Sequence, residues 1–119
     1  MRFPFRPRPS AGPLRGAAVA LLLAGACSAR PAGPARHEVE IRAFRYEPDT
    51  ISVAVGDTLV WTNHDPVPHT ATAPARRWDT GDIPRNGEGR WVADRAGTEE
   101  YVCAYHPGMR ATIVVRPEG

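Results

Sequence analysis

Cys103, His106 and Met109 lie three residues apart in the run Cys-Ala-Tyr-His-Pro-Gly-Met, and each carries an atom able to bind a metal. Thiolate, imidazole and thioether are soft to borderline donors, the set that suits a copper ion alternating between two oxidation states. One more imidazole completes a trigonal plane of two His and one Cys with a weak axial Met. His69, in Trp-Thr-Asn-His-Asp-Pro-Val-Pro-His-Thr, can supply it from another strand. Taken singly these residues are ordinary, since a buried Cys is usually a small hydrophobe and a Met usually fills a gap in a core. Their grouping in one short segment is what makes them a ligand set.

The flanks of that segment read as strands. Glu100-Tyr101-Val102-Cys103 alternates polar and apolar, Ala111–Val115 is apolar and β-branched, and Pro107-Gly108 is a turn dipeptide. The donors therefore sit on a loop between two strands. The period-two pattern extends back to His37, through Val39 and Ile41, then Ile51, Val53 and Val55, then Leu59 and Trp61. Short strands are expected at 69–73, 90–93, 98–104 and 111–116, with residues 74–89 a loop holding at most one helical turn. Turn signals at this spacing predict an all-β Greek-key sandwich of about seven to eight strands. Trp61, Trp91, Tyr101 and Phe44 are expected to fill its small core with the Val and Ile positions. His37 and His64 are expected to be solvated, and Trp78 and Asp79 to lie in the long loop without a specific role.

All fifteen basic residues are Arg, and the formal net charge is +2. Arg2, Arg6, Arg8 and Arg15 precede the apolar stretch Ala17–Ala26, whereas all thirteen acidic residues follow it. The remainder is thus mildly acidic, without the basic stripe that a nucleic-acid binder needs. A basic start followed by a short apolar run reads as an export signal, too short for the ~20 residues that span a bilayer. Leu23-Ala24-Gly25-Ala26-Cys27 resembles a bacterial lipobox, whose Cys becomes a lipidated N-terminus; plain cleavage after Ala26 is the competing reading. The expected organisation is a signal peptide of lipoprotein type over 1–26, a Pro- and Ala-rich tether over 27–36 and a copper-binding domain over 37–119. With Cys27 lipidated, Cys103 is the only thiol left and can form no internal disulfide. Copper would occupy a thiol that an oxidising compartment otherwise attacks.

From His37 to Arg116 the chain resembles the cupredoxins, in particular the small plastocyanin, pseudoazurin and amicyanin branch. The resemblance is carried by Phe44-Arg45-Tyr46-Glu47-Pro48, Val55-Gly56-Asp57-Thr58, Trp61-Thr62-Asn63, Asp65, Pro68-His69-Thr70, Gly97-Thr98, Tyr101-Val102-Cys103, His106-Pro107 and Met109. It implies one type 1 copper ion held by His69, Cys103, His106 and Met109. The spacers on either side of His106 match the short ligand loop of amicyanin-like members. Thr70 stands where many members have Asn, and Ala111 where Gly is common. In this reading Cys103 is the electron-conducting bond, His69 the buried imidazole, His106 the exposed one and Met109 the axial donor that tunes potential.

The expected function is that of an exported, periplasmic or otherwise extracytoplasmic carrier of single electrons. It is not an enzyme, and it docks redox partner proteins near His106 as a monomer. Its membrane contact would be limited to a lipid on Cys27. The alternative is a periplasmic copper-binding, delivery or tolerance protein with the same ligands. A Cys–His hydrolase would need an orienting third group and a pocket, and would leave Met109 idle. Around His106, Pro66, Val67, Pro68, Pro107 and Gly108 are expected to form an apolar ring, with Arg110, Arg76 and Arg77 steering approach at its rim.

Overall fold

A computed structural model describes residues 33–117 without interruption, together with 3–5, 7, 9–13, 16–18 and 20. The lipobox and Cys27 lie outside the described residues. Among the described residues seven strands run in the order β1 (Arg36–Arg42), β2 (Arg45–Glu47), β3 (Thr50–Ala54), β4 (Thr58–Asn63), β5 (Glu88–Val92), β6 (Gly97–Val102) and β7 (Arg110–Arg116). They form two mixed sheets, one in the order β2-β1-β4-β5 and the other β3-β7-β6. Strands β1 and β4 pair in parallel, as do β3 and β7, while every other named pairing is antiparallel. This is the expected β-sandwich. The one helical feature among the described residues is a 3₁₀ turn at Pro74–Arg76, inside the segment expected to be a loop.

Period-two burial is what joins the sheets. Val39, Ile41, Leu59 and Trp61 from one sheet meet Val53, Tyr101, Ile113 and Val115 from the other, all fully buried or nearly so. Two aromatic residues depart from expectation. Phe44 is 45% exposed rather than a core residue. Ala43 and Phe44 both have positive φ, 49° and 58°, so the β1–β2 turn leaves the pleat and swings the Phe44 ring out over the end of the sandwich. Trp78, expected to be an idle loop residue, is buried and packs between Trp61 and Trp91. The loop folds back on itself, the Trp78 carbonyl accepting the Ala73 amide at 3.0 Å, and so delivers the indole to the core.

The segment expected as a strand at 69–73 makes only isolated bridges, His69 with Ile83 and Thr72 with Asp79 and Val102. Two of its amides go to side chains instead: that of Thr70 to the Cys103 sulfur at 3.4 Å and that of Ala71 to the Thr80 hydroxyl at 2.9 Å. No continuous ladder can form from such a set. The histidines expected to be solvated are both partnered, His37 with Asp57 and His64 with Glu40.

Asp57 fastens the start of the domain. Its carboxylate accepts the amides of Ala54 and Ala35, each at 2.9 Å, and meets His37 Nε2 at 2.8 Å. The amide bonds, Ala54 first and then Ala35, with His37 adding to them, hold its pKa at about 2 against an ordinary 3.8. A carboxylate with a depressed folded-state pKa stabilises the fold above its unfolded value and loses that contribution as pH falls through the folded one. Asp57→Asn is therefore expected to cost about 1–2 kcal/mol at neutral pH. In urea melts the gap between variant and parent should shrink as pH falls from 3.8 towards 2. A gap independent of pH would show that the charge of Asp57 contributes nothing.

Candidate metal centre

Strands β6 and β7 pair up to Val102↔Arg110, so residues 103–109 must close the hairpin between them. The loop is bonded to itself: the Cys103 amide reaches the Met109 carbonyl at 3.2 Å, the His106 amide the Cys103 carbonyl at 3.2 Å and the Met109 amide the His106 carbonyl at 2.8 Å. Cys103 and Met109 are thereby buried while His106 stays half-exposed.

His69 arrives from the other sheet. Its backbone exchanges two hydrogen bonds with Ile83, at 3.1 and 2.7 Å. Ile83 packs so closely over Gly89 in β5 that a Cβ there would stand 2.7 Å from Ile83 Cδ1. Asn63, at the end of β4, donates from Nδ2 to the Val67 and Ile83 carbonyls at 2.8 and 2.9 Å, and its Oδ1 accepts the Asp65 amide at 2.9 Å. The His69 loop is thus bolted to the sheet on both sides.

Three of the four expected ligands converge. Nδ1 of His69 and Nδ1 of His106 each lie 3.7 Å from the Cys103 sulfur, and the three donor atoms are all within 4.8 Å of one another. A first-row metal with bonds of about 2.0 Å to nitrogen and about 2.3 Å to sulfur in a trigonal plane needs N···S separations of about 3.8 Å. The donors fit such an ion. Met109 closes the same loop, buried, and is the residue placed to lend the fourth, softer contact.

Around these donors stand residues that spacing alone does not point to. Nε2 of His69 bonds Asp65 Oδ2 at 2.8 Å, which fixes the proton on Nε2 and leaves Nδ1 for the metal. Burial pushes the Asp65 carboxyl up, but the amide of Phe44, the His69 ring and the amide of Ala43 outweigh it and hold it below the ordinary carboxylate range. Those amides, at 2.7 Å for Ala43 and 2.9 Å for Phe44, belong to the left-handed turn. One carboxylate therefore orients a ligand and pins the strained turn that aims Phe44. The Phe44 ring meets His69 and His106 edge to face, at 5.0 and 4.9 Å. Thr70 ties the two ligand loops together, its amide reaching the Cys103 sulfur and its hydroxyl accepting the Ala104 amide at 2.8 Å. A threonine thus locks the loops at the position where Asn is frequent.

Replacing Asp65 with Asn removes a negative charge bonded to a ligand ring. With copper bound, the reduction potential should rise, because an anion behind the imidazole favours the higher charge state, and metal affinity should fall about 10- to 100-fold. Voltammetry and competitive chelation measure both, and unchanged values would leave Asp65 a purely structural residue.

A family model for the cupredoxin-like domain matches residues 15–115, and the chain belongs to that family. Among relatives, amicyanin-alpha of Methylorubrum extorquens is 32% identical over 104 residues, 82% of this chain and 87% of that protein. The amicyanin of Paracoccus denitrificans is 32% identical over 82 residues, 65% of this chain and 63% of that protein. A solved structure of an oxidised methionine-to-leucine variant of amicyanin superposes with a TM-score of 0.63 at 28% identity, covering 66% of this chain and 80% of that one. A purple cupredoxin from Nitrosopumilus maritimus shares the fold, with a TM-score of 0.62 at 22% identity over 66% of this chain and 98% of that one.

Proposed function

We propose that this protein carries single electrons on one type 1 copper ion held by His69, Cys103, His106 and Met109. The observation that carries the reading is the preformed triangle in which two imidazole nitrogens each lie 3.7 Å from one sulfur, its loops tied by Thr70 and Asp65. An amicyanin structure in the similar group is described as a Cu(I) form, in keeping with such a metal. Copper, when bound, supplies a one-electron couple. The chain's part is to hold donors acceptable to both oxidation states so that little moves when the electron does.

Burial favours a carrier over copper delivery. Cys103 and His69 are fully buried, whereas exchange of a metal between proteins asks for donors that an incoming ligand can reach. The deciding experiment adds Cu(II) to the metal-free protein. An intense blue colour that bleaches reversibly with reductant is the expected outcome; a colourless copper readily taken by a chelator would favour delivery and overturn the carrier.

Export rests on the leader, with Arg before the apolar run and Cys27 after it, and the docking of redox partners rests on the half-exposed His106. Cys27 is expected to carry lipid at the membrane. Mass spectrometry of the membrane fraction beside a Cys27→Ala variant checks this, and an unmodified soluble protein would sink it.

A further inference from the structure

The core holds more aromatic rings in contact than a metal site requires. Trp91, half-buried at the surface, stacks on Trp78 with centroids 4.4 Å apart and planes 19° from parallel. Trp78 continues inward to Trp61 and to Tyr101, both at 5.7 Å. Tyr101 accepts the Trp61 indole N–H at 3.0 Å and meets the Tyr46 ring at 4.6 Å. The Tyr46 hydroxyl donates to the Thr70 carbonyl, and the Thr70 amide donates to the Cys103 sulfur at 3.4 Å. Between the surface and the ligand sulfur every step is a ring contact, a hydrogen bond or a stretch of covalent chain.

We propose that this run from Trp91 to Cys103 is a conduit for oxidising equivalents, which carries the hit of a strong one-electron oxidant, such as an oxygen-derived radical, away from the surface. The source of the replacing electron rests on the copper reading above. The oxidant takes one electron from Trp91 and is itself reduced. Trp78 refills Trp91, Trp61 or Tyr101 refills Trp78, and Tyr46 passes the vacancy on to the sulfur. The last electron comes from the reduced metal centre, which ends one electron poorer and is reloaded by its redox partner. No bond is made or broken along the way.

A vacancy stops wherever an oxidised ring can shed its proton, because the neutral radical left behind is a poorer oxidant. Two of the inner rings, Trp78 and Tyr46, offer no such stop. Nε1 of Trp78 is buried and has no hydrogen-bond partner among the described residues. The Tyr46 hydroxyl faces only a carbonyl, a weak base. A buried N–H without an acceptor is destabilising and asks for a reason. Passing the vacancy onward supplies one.

The test exposes the full chain to photogenerated tris(bipyridine)ruthenium(III), in Cu(I)-loaded and metal-free forms. Transient absorption follows the indolyl radical, and peptide mass spectrometry locates the oxidised residues. Trp78→Phe keeps an aromatic plane but inserts a ring too hard to oxidise. In the metal-free parent, oxidation should reach the buried Cys103, which gives up an electron and passes its proton to a neighbouring imidazole. In Trp78→Phe it should stay at Trp91. In the loaded protein the radical should decay at least an order of magnitude faster in the parent, with correspondingly less damage at Trp91. Equal decay and identical products in parent and variant overturn the conduit. Should Trp78→Phe not fold, Trp91→Phe at the half-exposed end decides the matter: loss of Cys103 oxidation in the metal-free protein supports the conduit, and undiminished oxidation overturns it. If no coloured copper form can be made, the functional reading fails while the metal-free comparison still judges the conduit.

Discussion

Cys103→Ser should be colourless with Cu(II) and still folded. The intense colour of such a centre comes from charge transfer between a thiolate sulfur and the metal, and a serine hydroxyl offers neither the soft sulfur nor an anion near neutral pH. Oxygen is smaller than sulfur, so the substitution introduces no clash, and with a small shift the Ser oxygen can accept the Thr70 amide now spent on Cys103 at 3.4 Å. Burying a hydroxyl with that one partner costs about 1–3 kcal/mol. The variant should thus keep its far-ultraviolet circular dichroism and melt somewhat lower, while its copper binds weakly and no longer cycles. Absorption spectroscopy of parent and variant with one equivalent of Cu(II) checks it. A variant that stays blue would take Cys103 out of the ligand set.

Legibility in the sequence tracks how local each interaction is. The Cys103–Met109 loop is readable because both flanking strands are adjacent in the chain and show their period of two, so the donors must share one hairpin end. His69 can be nominated from the sequence as the second imidazole, but nothing local brings it to Cys103, and the family resemblance is what singles it out among the histidines; the Ile83 bridge and the tight approach over Gly89 hold its loop in three dimensions. Asp65 has a local sign, standing four residues before His69, but the same carboxylate also caps the amides of Ala43 and Phe44. A period-two reading has no means of seeing a left-handed turn made of Ala and Phe, and for that reason it buries Phe44. Trp78 fails for the opposite reason. It lies in a stretch punctuated like a loop, and a loop folded back over a sandwich end can fill a core as a strand does.

Charge expectations met the same limit. Arg77 does not stand ready to steer a partner, because its guanidinium is bound to Asp94 at 3.0 Å and to Glu99. Arg76 and Arg110 remain exposed at the surface. Arg110 stands beside the ligand loop, where its Nε donates to the Pro107 carbonyl at 3.4 Å.

Gly108→Glu should slow electron exchange with the authentic partner by an order of magnitude or more while leaving colour and potential nearly as they are. Pro107 and Gly108 follow the half-exposed His106 directly, and Pro68 precedes His69, whose ring lies 5.2 Å from that of His106; these three residues and Pro66 are exposed and uncharged, and Val67 is half-buried. Phe44 joins them, at 45% exposure and edge-on to both ligand rings. An exposed apolar surface of this kind is where partners commonly dock, and a transient electron-transfer encounter needs under about 1,200 Å². A Cβ at Gly108 would meet nothing within 4 Å, so the substitution fits the loop without moving a ligand. It does place a charge that must be stripped of water whenever an apolar partner face closes over His106, which raises the barrier to a productive encounter. Stopped-flow exchange with the partner, alongside the absorption spectrum and voltammetry of the same sample, separates docking from ligation. A wild-type rate would place the docking face elsewhere, whereas a shifted potential would mean that the loop, rather than the contact, had been disturbed.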